Sequence, residues 1–329
     1  MFPLPVIGRI LTAALLVAPA LFAAGEEREA APALGVSGDL KLTGFVQASY
    51  TWVDEAADTF TIRRVRLSLA GDIAPKIKIK FQADLLKTPV LLDAMADVLL
   101  SPAAGLRLGQ FYVPFGLETR TSTADIETVF RSQISEKLAP GRDIGASGRD
   151  IGAQIFGKIS VFEYTAGVFN GAGINKLDNN AKKDVGLRFS ILPAPGLTLG
   201  GSFYDGRTSA ASGSPAYVRR RSGLDGILTA GRLIIRTEWV RGRDDLIEKD
   251  GWYVQGAYGA VSKKLQAVVK WDSYDPDRAA RDDRTRILTV GLNWWLSERT
   301  RFLANALWSK RQGAETTARS LILQIQAGF

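Results

Sequence analysis

Residues 76–86 read KIKIKFQADLL, and their alternation decides the fold. Lys76, Lys78, Lys80, Gln82 and Asp84 take every second position, with Ile77, Ile79, Phe81, Ala83 and Leu85 between them. In an extended strand successive side chains point to opposite faces, so this segment has one basic, polar face and one of hydrocarbon. The same period-2 pattern recurs in sixteen segments along the chain, and no stretch sustains a helical period. They begin at Leu40, Phe60, Lys76, Val90, Gly105, Ile151, Phe162, Lys183, Leu197, Tyr217, Arg232, Trp252, Lys264, Thr285, Arg301 and Ala318. Connections after even-numbered segments are tight (DIAP, SPAA, PAPG, AG, SK, SER). Those after odd-numbered ones are mostly longer and polar, including RGRDDLIEKDG before Trp252, and one runs from about Pro114 to Gly148. Alternating short and long links predict an antiparallel barrel with one rim in a confined space and the other facing outward.

A soluble sandwich also alternates, with its apolar face inward. The aromatic residues separate the two cases. Trp52, Trp239, Trp252, Trp271 and Trp308 lie on the apolar faces at the long-connection ends of their segments, and Phe162, Trp294 and Phe302 at the short-turn ends. Two aromatic bands around an aliphatic zone are the girdles of a transmembrane barrel. The expected fold is therefore an all-β, sixteen-stranded transmembrane antiparallel barrel.

Lipid then fixes which way each strand faces. A Lys or Arg turned toward mid-bilayer lipid costs about 2–4 kcal/mol. Ile77, Ile79 and Phe81 must face lipid, leaving Lys78 and Lys80 in the lumen. The same sorting places Arg64, Arg66, Arg107, Arg188, Arg219, Arg221, Arg236, Lys264 and Lys270 inside, against Asp84, Asp93, Asp97, Asp225, Glu238 and Asp272. A barrel of this strand number is too wide for side chains to fill and encloses water. Excess inward cations then favour anions, although screening over a Debye length of about 10 Å demands a constriction. The long third connection is the candidate to fold into the lumen and supply it. Arg219 and Arg221, about 6.8 Å apart along one strand, could relay an anion.

The ends and the composition agree with export. Residues 1–24 have one Arg9, an uncharged run from Ile10 and small residues at the close, which reads as a signal peptide. Residues 25–38 form a short periplasmic spacer and 39–329 the barrel domain. The 329-residue chain has no cysteine and no histidine, which removes disulfide stapling, histidine-based metal sites and serine–histidine hydrolysis. Its net charge of +8 points to an anionic partner.

The run Gly109-Gln110-Phe111, followed by Pro114-Phe115-Gly116-Leu117-Glu118, resembles the signature of the phosphate-selective porin family, porins O and P. The downstream APGRDIGA and the terminal Phe329 are similar too; an aromatic terminus resembles the assembly signal of outer-membrane barrels. The resemblance spans the mature chain. It implies an outer-membrane homotrimer of a Gram-negative-type cell, inserted by the barrel assembly machinery, with loop three in the pore. It also implies an arginine ladder on Arg64, Arg66, Arg219, Arg221, Arg236 and the loop residue Arg131, an aspartate at Asp93, and lysines at Lys78 and Lys80. GRDIGASGRDIGA repeats every seven residues, so its two copies cannot put their arginines on one face of one strand. Arg142 and Arg149 are thus alternatives for the loop arginine nearest the lumen, and either copy could enter strand six.

The expected function is passive, anion-selective diffusion of phosphate or similar small anions, with lipopolysaccharide and outer-membrane lipid as surroundings. No cofactor, metal or nucleic acid enters. GAGINK (171–176) lacks the strand-to-helix context of a phosphate loop, and YDPDRAARDD lacks the glycine and closing glutamate of a calcium loop. A barrel enzyme needs a nucleophile–base set, which is not identifiable in this chain. The alternatives are a general or weakly selective porin, or a plugged-lumen scaffold or adhesin.

Overall fold

The computed structural model describes residues 40–209, 216–260 and 264–329. The expected signal peptide and spacer lie outside the described residues. The alternating segments become β1 (Lys41–Val53), β2 (Thr59–Ala74), β3 (Ile77–Asp84), β4 (Leu91–Ser101), β5 (Ala104–Tyr112), β6 (Arg149–Ile159), β7 (Phe162–Phe169) and β8 (Asp184–Ala194). They continue as β9 (Leu197–Ser209), β10 (Ala216–Ala230), β11 (Leu233–Asp244), β12 (Ile247–Ala260), β13 (Leu265–Asp275), β14 (Thr285–Trp295), β15 (Thr300–Arg311) and β16 (Ala318–Gly328). Each strand pairs with its sequence neighbours, and β1 closes the barrel antiparallel to β16. No edge is left to template aggregation. The last residue takes part in closure: Phe329 N donates to Gly44 O at 3.0 Å, and Gly44 N returns the bond at 3.2 Å.

The opening stretch takes the register required by lipid. Phe81 is 45 % exposed on the outer face, whereas Asp84, three residues on, is fully buried. Lys78 stands opposite Asp72 of β2 and Asp97 of β4. Across the wall the aromatics line up in rows: Trp239 is opposite Trp252, Trp271 and Trp308 both flank Leu288, and Trp294 is opposite Phe302.

Two departures from simple alternation matter. The expected long loop RGRDDLIEKDG is instead strand: β11 and β12 extend outward, and Asp245 at φ 50° turns the chain within two residues. A residue at positive φ suits the tight hairpins that follow the right-handed strand twist. Lys264, expected inward on a strand, lies in the turn before β13. The second departure is a bulge, where Gln47 pairs with Arg64 but Ala48 pairs with Ile62, leaving Arg63 as an extra residue in β2.

The connection from β5 to β6 holds the largest apolar cluster away from lipid. Val113, Phe115, Ile134, Leu138 and Ala139 pack with the wall residues Phe111, Phe169, Tyr204, Val240, Tyr253 and Tyr274. Its regular structure is a single 3-10 turn (Glu118–Arg120) and α1 (Gln133–Lys137), whose N-cap Ser132 accepts from Ser135 N. So short a helix is not stable alone and depends on this packing.

Candidate functional site

Side chains of the barrel wall hold residues 113–148 by hydrogen bonds from β1, β2 and every strand from β9 to β16. Gln47 and Arg66 donate to the Thr123 carbonyl and hydroxyl, Arg301 to the Ala124 and Ile126 carbonyls, and Gln326 to the Ala124 carbonyl. Val129 N donates to Asn305 at 2.7 Å, Gln133 N to Asp272 at 2.8 Å, and Gly116 N to Ser202 at 3.1 Å. Glu127 accepts from Arg236 and Gln255, and its carbonyl accepts from Asn293. A connection this long leaves many backbone groups needing partners, and the wall supplies them.

The motif around Gly109 and Glu118 makes that attachment possible. Gly109 has φ 119°, and a Cβ there would run into the Ala94 carbonyl of β4. Gln110 binds the Leu91 and Leu92 carbonyls through its amide and accepts from Asn175 N. Gly116, at φ 70°, turns the chain so that Leu117 N and Glu118 N both donate to the Glu238 carboxylate, at 2.9 and 2.5 Å. A Cβ on Gly116 would sit 2.9 Å from that carboxylate. The Glu118 carboxylate in turn caps α1, accepting from Ser132 N and Oγ at 2.8 and 2.6 Å. Burial pushes the Glu118 carboxyl up, but Lys270, Arg131 and the serine bonds outweigh it and hold it below the usual range. The signature residues therefore attach the connection to the wall.

A cationic group forms where this connection meets β2. Arg63, Arg66 and Arg131 add to the positive field at Arg64, and Glu136 offsets part of it. Arg64 donates to Gln47 at 2.8 Å, and its buried Nε has no partner. Arg63 lies 4.2 Å over the Phe130 ring and donates to the Val129 carbonyl at 3.5 Å. No carboxylate pairs with Arg63 or Arg64 among the described residues. Arg131 donates to the Glu118 and Thr121 carbonyls, and Arg142 reaches Glu136 at 3.0 Å. Sequence alternation missed Arg63, because a bulge that sends two consecutive side chains inward is invisible in a period-2 count.

Most of the other expected cations are neutralised by neighbours. Arg66 binds Asp84 at 3.1 Å, Lys78 binds Asp72 at 2.8 Å, and Arg236 binds Glu127 at 3.0 Å. Arg188 grips Asp225 with both terminal nitrogens, at 2.5 and 2.7 Å. Arg219 and Arg221 share Asp143 of the connection, at 2.8 and 2.9 Å. Each has a second carboxylate as well, Asp184 and Asp244 respectively. The relay drawn from their spacing does not leave two free guanidiniums. Asp93 is fully engaged by Arg149 at 2.5 Å and Lys80 at 2.8 Å. The seven-residue repeat also resolves: its second copy opens β6 with Arg149, and its first stays in the connection with Arg142 beside Glu136.

A family model described as phosphate-selective porin O and P matches residues 40–329. No curated protein matches. An anion-selective porin from Comamonas acidovorans superposes with a TM-score of 0.70 at 16 % identity, over 89 % of this chain and 100 % of that one. OmpT of Vibrio cholerae in its trimer form gives 0.65 at 12 % identity, over 89 % and 99 %. The outer membrane channel DcaP of Acinetobacter baumannii gives 0.67 at 10 % identity, over 93 % and 100 %. At these identities the likeness is one of fold.

Proposed function

The chain belongs to the phosphate-selective porin O and P family, and from that premise we propose that it lets small anions, phosphate-like ones above all, diffuse passively across the outer membrane. The observation that carries this reading is the pair Arg63 and Arg64, which no carboxylate pairs among the described residues and which lies in the positive field of Arg66 and Arg131. Guanidiniums without a carboxylate partner keep charge and donors for a passing oxyanion, and charge-assisted bonds to it are roughly twice as strong as neutral ones. Residues 113–148 act as the constriction, bringing the ion within a Debye length of these cations. The homotrimer, the lipopolysaccharide contacts and the reading of Phe329 by the assembly machinery belong to the same proposal. The signal peptide on residues 1–24 completes it.

The test is single-channel recording in planar bilayers under a chloride gradient. The expected reversal potential reports anion preference, and phosphate reduces the chloride current. A cation-selective reversal potential refutes the proposal. A second reading, a weakly selective porin, is favoured by the ion pairing of Arg188, Arg219, Arg221 and Arg236. It predicts anion preference without block by millimolar phosphate.

A further inference from the structure

On the short-turn side of the cationic group lies a cavity of about 710 Å³. Its volume is some twenty times the ~30 Å³ share of one water molecule and falls in the range of sites for drug-sized organic ligands. Its lining combines two elements that an inorganic anion does not need together. Phe45 and Trp295 turn half-buried rings toward it, and Arg120 and Arg299 line it, their guanidiniums having no hydrogen-bonded or ion-paired protein partner among the described residues.

The rings are inside by register. Trp295 shares the inward face with Asn293, which donates to the Glu127 carbonyl and to Gln266, whereas Trp294 supplies the outer girdle. Trp295 is opposite Arg301, Arg301 opposite Gln326, and Phe45 opposite Gly328. Trp295 and Phe45 thus sit on strands three spacings apart, about 14 Å across the wall, and two residues out of register along it. Inward-facing Gly328 lies between them and offers no side chain to fill the gap. Each ring has an arginine on hand: Arg301 is 5.7 Å from the Trp295 centroid, and Arg66 is 5.9 Å from that of Phe45. Apolar ring surface turned to an aqueous bore gains only when something flat and apolar covers it.

We propose that this cavity binds organic anions built from an aromatic ring and one carboxylate, the ring lying against Trp295 and the carboxylate on Arg120 and Arg299. Asp125 and Glu298 line the same space. They offset part of the positive charge of the lining, in which Arg66 is already paired with Asp84, and Lys80 and Arg149 with Asp93. The site is separate from the Arg63–Arg64 pair, though it rests on the reading of the chain as an open anion channel.

Benzoate and acetate carry the same head group and differ by the ring, so the two together isolate its contribution. Each is added on the short-turn side of the full-length channel in a bilayer, and inhibition of the chloride current is recorded. Benzoate is expected to inhibit at about tenfold lower concentration than acetate, the scale of one good aromatic contact. Trp295→Ala should erase that difference and Trp295→Phe should keep most of it, while Arg64→Ala should leave it intact. Arg120→Gln, on the connection rather than the wall, should weaken both anions together and serves where Trp295→Ala does not assemble. Equal inhibition by benzoate and acetate overturns the proposal, as does a benzoate advantage that survives Trp295→Ala or vanishes with Arg64→Ala. Anion preference under the chloride gradient, read on the same channels, reports the underlying porin reading independently.

Discussion

β2 and β10 each turn a pair of arginines toward the β5–β6 connection, and the two pairs have become different groups. Arg219 and Arg221 are almost wholly buried, share Asp143, and hold Asp184 and Asp244 besides. Arg63 and Arg64 remain partly open and meet a backbone carbonyl, a phenyl ring and a glutamine. Residue type and facing are the same in both places. The difference lies in which carboxylates the β5–β6 connection carries to each pair: Asp143 to Arg219 and Arg221, and none within pairing distance of Arg63 and Arg64, Glu136 being engaged by Arg142. A buried arginine with its acids is part of the scaffold, because removing one partner strands a charge. One that lacks them is available to a solute.

The sharpest way to break the contrast is to remove the shared acid. Asp143→Ala should lower barrel stability by about 3 kcal/mol, the lower end for a broken buried pair, since each arginine keeps a second carboxylate. The urea midpoint of the folded channel in detergent, followed by tryptophan fluorescence, measures it. An unchanged midpoint would mean that the β10 pair is not structural.

Next in size, Arg64→Ala should raise the phosphate concentration needed to inhibit the chloride current about tenfold, equivalent to one charge-assisted hydrogen bond. Its urea midpoint should stay within error of the parent. Arg219→Ala should do the reverse, shifting the midpoint while moving phosphate inhibition less than about twofold. If both variants change inhibition equally, the two walls are not distinct. Arg63→Ala should fall between, near threefold, because that guanidinium also rests on Phe130.

The smallest effect sharpens the role of the connection itself. The Glu118 carboxyl is held below the ordinary glutamate value of 4.5, so its stabilisation of α1 is complete above that pH. Acidification through the lowered value protonates it and removes the contribution. Current fluctuations should therefore increase as recordings are taken below about pH 4.5, and Glu118→Gln should show them at neutral pH. Quiet currents at low pH would place the hold on the connection elsewhere, Asn305 and Ser202 being wall acceptors that do not titrate.

Much of this molecule was written in the chain. Alternation in KIKIKFQADLL and its counterparts set the strands, and the cost of a cation in lipid set their facing, because both depend only on neighbouring residues and the solvent. Gly109, Gly116 and Glu118 marked where the wall attaches its connection, although the sequence could not say that attachment was their task. The rest was decided by residues far apart in the chain. Arg219 meets Asp143 across 76 positions. The bulge that brings in Arg63 exists through pairing between β1 and β2, and Trp295 lines a cavity only because β14 and β1 are bent into the same barrel. The sequence by itself determined which faces are wet. Tertiary structure alone determined which charges are spent on one another and which are left without a carboxylate, since pairing is a matter of distances that local patterning does not encode.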